Sequence, residues 1–287
     1  MTIAVTAVSG HLGAEIVQAL IAMNTGEPIV GLARSPDKAR GQGIEIRPGD
    51  YDDADQLRAS LAGVNTVLLV SGMAAPDVRI GQHRNVINAA KAAGVTKIVY
   101  TSVQGAEEGT AFSPVIQSNR QTEADVRDSG LDWVIGRNGI YIEPDVDYIE
   151  SYRQAGEIAN CAGDGRCGYT TRPELGFAYA RMLTGAEHNW HTYLLHGTPL
   201  TQTELAAYLN RTFGTELTYR PMSVEEYRAD RIAELGEFIA RSSLASIRVS
   251  AKVHLISPAI SKKPQAVHIR AGMTILSRHE SMEYRRI

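Results

Sequence analysis

Between Thr2 and Asn138 the chain alternates short, nearly unbroken apolar runs with longer stretches whose apolar residues recur every three or four positions. The short runs TIAVTAV, PIVGLA, IEIRPGD, TVLLVSG, KIVYTSV and DWVIGRN have the length of strands. Several lack the in–out alternation of a half-exposed sheet, as happens when helices cover both faces of a parallel one. The amphipathic stretches predict helices beginning at Gly13, Asp53, Arg79 and Gln117, with Gly63, Gly94 and Gly130 closing the last three. This alternation predicts a doubly wound α/β fold, a Rossmann-like parallel sheet.

After Tyr141 the rhythm loosens. EIANCAGDGRCGY reads as a short strand with a glycine-rich turn, and RPELGFAYARMLTG as a helix with proline near its start. TQTELAAYLNRTFG opens with a capping box of Thr201 and Glu204. The expected organisation is a Rossmann-like domain over 1–143, onto which some later segments pack back. A smaller C-terminal substrate lobe over 144–240 lies at the carboxyl ends of the strands, and an atypical tail follows over 241–287.

Composition narrows the class without changing this picture. Of 287 residues, 44% are hydrophobic and 21% charged, as in an ordinary globular protein. No apolar run approaches the ~18 residues of a membrane span. MTIAVTAVSG has no basic region before its apolar segment, which argues against a signal peptide and for the cytoplasm. Cys161 and Cys167 suit a reducing compartment and match no zinc spacing. His188, His191 and His196 cluster, but HTYLLHG reads as a strand and no carboxylate or thiol completes a ligand set. No metal is expected.

The candidate chemistry sits in TAVSGHLG, residues 6–13, between the first strand and the first helix. A glycine-bearing turn there exposes unpaired N–H groups at the positive end of a helix dipole, a site for phosphate. Thr6, Ser9, Gly10, His11, Leu12 and Gly13 form the candidate cradle, with Gly10 and Gly13 in the later two glycine places. Ala7 stands at the first, the mildest replacement, because it adds a single methyl where the turn begins. Some twenty residues on, where an NAD site offers a carboxylate to the ribose, the chain reads LARSPDKAR. Arg34, with Lys38, can grip a 2′-phosphate, so NADP(H) is favoured over NAD(H).

With these pieces the chain resembles the atypical short-chain dehydrogenase/reductase group that includes NmrA-like proteins and bacterial NADPH-dependent quinone oxidoreductases. The resemblance rests on ARSPDKA, GDYDDADQLRASLAGV, LLVSG, QHRNVINAAKAAGV, YTS, QTEADVRDSGL, RNGIY and AGDG followed by TRPELG, and spans residues 1 to roughly 240. It implies that Arg34 and Lys38 meet the adenosine phosphate and that Asp50 and Tyr51 border the adenine. It implies further that Ser71, Gly72 and Met73 pass the cofactor ribose and diphosphate, with Thr101 and Ser102 also in the cofactor site. Asn138, Gly139 and Tyr141 are implied near the nicotinamide, and Tyr141 is the candidate for orienting substrate or donating a proton. The Tyr-x-x-x-Lys pair of the wider superfamily is missing near Gln117 to Glu123, and Ala124 stands where quinone-reductase relatives often have lysine. Quinone reduction tolerates that loss, because hydride delivery is the hard step and the cofactor carries it.

Two functions of different class remain open. One is an NADPH-dependent reductase acting on a quinone or a similar electron-poor aromatic molecule. The other is an NmrA-like redox sensor that binds NADP without turnover. Neither needs nucleic acid or a membrane, and the oligomeric state is not legible.

Residues 241–287 carry nine Lys or Arg against two Glu, with no acidic residue from Arg241 to His279. Codons that encode PAISKKPQAVHI, residues 258–269, permit SDFEKAAGRPH when read from their third base, similar to the closing segment of the resembled family. A frameshift near Arg241 is therefore a further expectation, and with it an inactive product that keeps the cofactor fold. A basic arm for nucleic acid fits less well, since the charges are dispersed.

Overall fold

A computed structural model describes residues 1–108 and 113–235, so the expectations for 241–287 lie outside the described residues. The first half runs β1 (Ile3–Val5), α1 (His11–Met23), β2 (Ile29–Ala33), β3 (Glu45–Pro48), α2 (Ala54–Ser60), β4 (Thr66–Val70), α3 (Pro76–Ala92), β5 (Lys97–Val103), α4 (Ser113–Arg127) and β6 (Asp132–Asn138). There follow β7 (Ile140–Tyr141), α5 (Glu143–Asp147), α6 (Ile149–Ala155), β8 (Glu157–Asn160), β9 (Tyr169–Thr170), α7 (Arg172–Thr184), β10 (His191–Leu195), α8 (Gln202–Phe213), β11 (Thr218–Pro221) and α9 (Val224–Leu235).

The main sheet has the order β10-β6-β5-β4-β1-β2-β3, every pair parallel. Strand order reverses between β1 and β4, which opens a crevice at their carboxyl ends. Alternate residues feed two cores. Ile3 and Val5 meet Ile16, Leu20, Leu175 and Leu183 of α1 and α7 on one face. Ala4, Val67 and Leu69 meet Leu57, Val86 and Val126 of α2, α3 and α4 on the other. Helices on both faces explain why the strand runs are apolar throughout. The expected Rossmann-like fold is the observed one.

Three helix starts differ from expectation, and α1 begins at His11 rather than Gly13. α3 begins at Pro76 rather than Arg79, and α4 at Ser113 rather than Gln117. In these last two cases proline (Pro76, Pro114) occupies the first turn, where its missing N–H costs nothing. α2 opens where expected, the Asp53 carboxylate accepting the Gln56 N–H at 2.9 Å.

Residues after Tyr141 divide between two places. α7 packs on α1 so closely that a Cβ on Gly176 would lie 2.9 Å from the Glu15 carbonyl oxygen, and β10 extends the main sheet beside β6. The parallel pairs β8–β11 and β7–β9, with α5, α6 and α8, form a smaller layer around Ile142, Ile158, Leu205, Leu209 and Leu217. The capping box of Thr201 and Glu204 is present, and a second joins Thr171 to Glu174 at the start of α7.

Candidate functional site

At the crevice the turn from β1 to α1 presents Ser9, Gly10 and His11 to solvent, while Leu12 and Gly13 are buried. Gly10 caps α1 with no side-chain bond, the first turn holds no acidic residue, and Ala14 N–H makes the bond to Gly10 O at 3.0 Å. The helix end therefore offers its early N–H groups and its dipole outward. A Cβ at Gly13 would meet the Ala7 carbonyl, so only glycine permits this turn. Ala7 adopts φ +52°, the left-handed region, so even this smallest side chain strains the turn.

Thr6 and Tyr51 lie beneath this surface. Val70 N–H donates to Thr6 Oγ1 at 2.9 Å, and Tyr51 Oη–H donates to Val70 O at 2.9 Å, which leaves the Thr6 hydroxyl to donate to Tyr51 Oη. This ring of three bonds stitches β1 to β4 and commits the Thr6 side chain to the fold. Asp50 is half-buried and accepts the Asp52 N–H at 3.1 Å. Arg34 and Lys38, just beyond the carboxyl end of β2, are exposed, and neither has an ion-pair partner among the described residues. These positions fit a dinucleotide: an open helix end, a cradle that a Cβ would fill, and two exposed cations.

The β4–α3 connection is built from buried side chains. Thr101 Oγ1 accepts the Ser71 N–H at 2.8 Å, and His83 Nε2 accepts the Gly72 N–H at 3.0 Å. The His83 proton is consequently on Nδ1, facing Thr122 Oγ1 at 2.9 Å, and Thr122 donates onward to Ser118 O at 3.1 Å. Burial, with the nearby Arg79 charge, pushes the His83 imidazole down to about 3, so it is neutral at pH 7. Arg79 Nη2 donates to Ala74 O at 2.9 Å. Met73, between these anchored residues, is 95% exposed.

Ser102 is buried, and its hydroxyl donates to Glu123 Oε1 at 2.7 Å. Glu123 on α4 has no exposed surface and also accepts from Arg120 Nη1 at 2.8 Å, Arg127 Nη2 at 3.0 Å and Arg137 Nη2 at 2.7 Å. Burial alone would raise its carboxyl, but the hydrogen bond from Arg137 and the Arg120 and Arg137 charges hold it at about 2. This knot welds α4 to the ends of β5 and β6.

Beyond β6, Asn138 Oδ1 accepts the Tyr179 hydroxyl at 2.6 Å, and Gly139 leaves no room for a Cβ against the Gly168 carbonyl. The Tyr141 ring lies 5.6 Å from the Arg172 guanidinium. Burial raises its phenol, while a hydrogen bond with Asn138 and the Arg172 charge oppose that rise. Glu143 Oε1 accepts the Arg172 N–H at 2.7 Å at the start of α7.

The expected residues thus fall into two groups: the turn, Tyr51, Ser71 and Gly72 at the β1/β4 crevice, and Thr101, Ser102, Asn138, Gly139 and Tyr141 along the ends of β5 to β7. Sequence reasoning missed His83, Arg79, Glu123 and Arg172. QHRN and TRPE contain two of them, but nothing in a linear pattern says what they face. Among the described residues no helix is long and apolar enough to cross a membrane, and no group of three His, Cys, Asp or Glu could hold a metal ion.

Residues 8–158 match the model of a family described as NAD(P)H-binding. Quinone oxidoreductase 2 of Escherichia coli (strain K12) is 36% identical over 231 residues, 79% of this chain and 80% of that protein. The structure of Citrobacter sp. triphenylmethane reductase complexed with NADP(H) superposes with a TM-score of 0.81 at 32% identity, covering 87% of this chain and 90% of that one. That of an Escherichia coli NADPH-dependent quinone oxidoreductase complexed with NADPH gives 0.80 at 33% identity, covering 89% and 91%.

Proposed function

This chain belongs to the NAD(P)H-binding family of oxidoreductases, and we propose that it spends NADPH on reducing a quinone or another electron-poor planar acceptor. The observation that carries this reading is the pairing of an uncapped α1 N-terminus with Arg34 and Lys38 at the end of β2, both exposed and without an ion-pair partner among the described residues. The early N–H groups of α1 would hold the diphosphate. Arg34 would form a charge-assisted pair with the 2′-phosphate, seconded by Lys38. Ser71 and Gly72, fixed by Thr101 and His83, border the middle of the crevice, and Asn138 and Gly139 border its far end. A bound NADPH supplies hydride chemistry.

Tyr141 completes the step. Its phenol carries its proton at pH 7, as an ordinary tyrosine does. Burial holds it further from the phenolate, and Asn138 and Arg172 oppose that effect, so the proton can pass to an acceptor oxygen. Asn138 and Arg172 ease the charge left behind, and solvent returns the proton. With the hydride that a bound NADPH would supply, the proton from Tyr141 would complete a quinone's reduction to the hydroquinone.

The test is NADPH oxidation followed at 340 nm with a panel of small benzoquinones and naphthoquinones. Turnover with at least one quinone supports the reading. Tight NADPH binding without turnover of any contradicts it and favours the sensor.

A further inference from the structure

We propose that Met73 is a redox-sensitive contact of the dinucleotide crevice: its thioether covers bound cofactor, and its oxidation by a peroxide weakens that binding. The inference rests on the cofactor site proposed above.

Met73 is 95% exposed, and among the described methionines only Met1, at 49%, is also an exposed one. A long apolar side chain left this far in water forgoes the stabilisation that burial gives such a side chain. Such exposure usually belongs to a loose loop tip. Here both neighbours are pinned. His83 and Arg79, one turn apart on α3 and 0% and 6% exposed, hold Gly72 N–H at 3.0 Å and Ala74 O at 2.9 Å. Ser71 is pinned in turn by Thr101 at 2.8 Å. Two buried polar side chains are thus spent on aiming one apolar residue outward.

The place of this residue says what it meets. It follows β4, the strand beside β1 at which the order reverses, where open α/β sheets take their ligands. A Cβ on Gly72 would stand 3.9 Å from the Tyr51 ring, and Tyr51 is tied to Thr6 under the α1 turn. A thioether is polarizable and packs well on ring edges, so a ligand carrying two heteroaromatic rings suits it.

Oxidation changes that surface. The peroxide O–O bond breaks, one oxygen bonds to sulfur and the other leaves as water. Sulfur loses two electrons, the peroxide gains them, and the product is a polar sulfoxide. Hydrogen peroxide treatment of the full chain, with and without NADPH, followed by mass spectrometry of Met73, tests the contact. NADPH titration by fluorescence, before and after treatment, tests the consequence in wild type and in Met73→Leu.

We expect NADPH to slow Met73 oxidation relative to Met1, and oxidised wild type to bind NADPH about fivefold more weakly, the scale of one lost sulfur–ring contact. In Met73→Leu, Kd values before and after peroxide should agree. Equal oxidation with and without NADPH, an unchanged Kd after full conversion of Met73, or the same loss in Met73→Leu overturns the proposal. If untreated protein binds no NADPH, the underlying cofactor site is refuted and this inference falls with it.

Discussion

The Ala7 carbonyl oxygen lies 2.5 Å from where a Cβ on Gly13 would stand, and Ala7 itself is held at φ +52°. The two positions constrain each other: the carbonyl can point into the helix start only because Ala7 takes a backbone shape suited to glycine. Left-handed alanine costs about 1–2 kcal/mol, and the looser unfolded chain of a glycine returns about half of that. Ala7→Gly should therefore stabilise the protein by about 0.5–1 kcal/mol in urea denaturation. Gly13→Ala should destabilise it and weaken NADPH binding together.

Glu123 is the anchor of α4, with three guanidiniums and the Ser102 hydroxyl around one buried carboxylate. Glu123→Gln leaves those cations without their counter-charge and should cost about 3–5 kcal/mol. The acid response carries a further signature. The carboxyl sits at about 2 in the fold against an ordinary 4.5, so its stabilisation is whole above 4.5 and lost as pH falls toward 2. Urea midpoints measured from pH 5 to pH 2.5 should fall less steeply in Glu123→Gln than in wild type.

The architecture was legible because its signal is local. Runs such as TVLLV fit a parallel sheet covered on both faces, and the alternation of strands with helices points to a doubly wound fold; the reversal between β1 and β4 is seen in the structure. Helix starts at Pro76 and Ser113 lie about a turn before the expected ones, because proline fits the first turn, where its missing N–H costs nothing. The joints inside the site carried no such signal. Glu123 meets Arg137 and Ser102, and His83 meets Gly72, through helices laid over strands far away in sequence. Periodicity names the face that turns inward but not its neighbour. Even the strain at Ala7 is invisible until the backbone is seen.

Asp145 responds to pH in the opposite sense. Burial pushes its carboxyl up to about 6 from an ordinary 3.8, against the opposing hydrogen bond that Tyr152 Oη donates at 3.0 Å. The folded state thus holds a proton that the unfolded state has released, and stability declines as pH rises through 3.8 to 6. Asp145→Asn keeps an acceptor for Tyr152 and removes the buried charge. Relative to wild type it should gain about 1–2 kcal/mol at pH 8 and little at pH 4, read from thermal midpoints at both pH values.

Tyr141→Phe isolates the proton step. Hydride transfer does not need the phenol, so NADPH affinity should stay within about twofold while kcat with a quinone falls about tenfold, less than the ~100-fold or more of a full general acid because water can partly replace it. Single-turnover kinetics beside NADPH titration separates the two. A loss confined to affinity would place Tyr141 in packing instead.

The central claim is that Arg34, beside the open end of α1, recognises the phosphate that distinguishes NADPH from NADH. Fluorescence titration of wild type and Arg34→Ala with both nucleotides measures it directly. Wild type should prefer NADPH, and Arg34→Ala should weaken NADPH about 10- to 100-fold, as for a lost charge-assisted pair, with NADH little changed. Equal affinities for the two nucleotides in wild type, or an equal loss of both in Arg34→Ala, would contradict it.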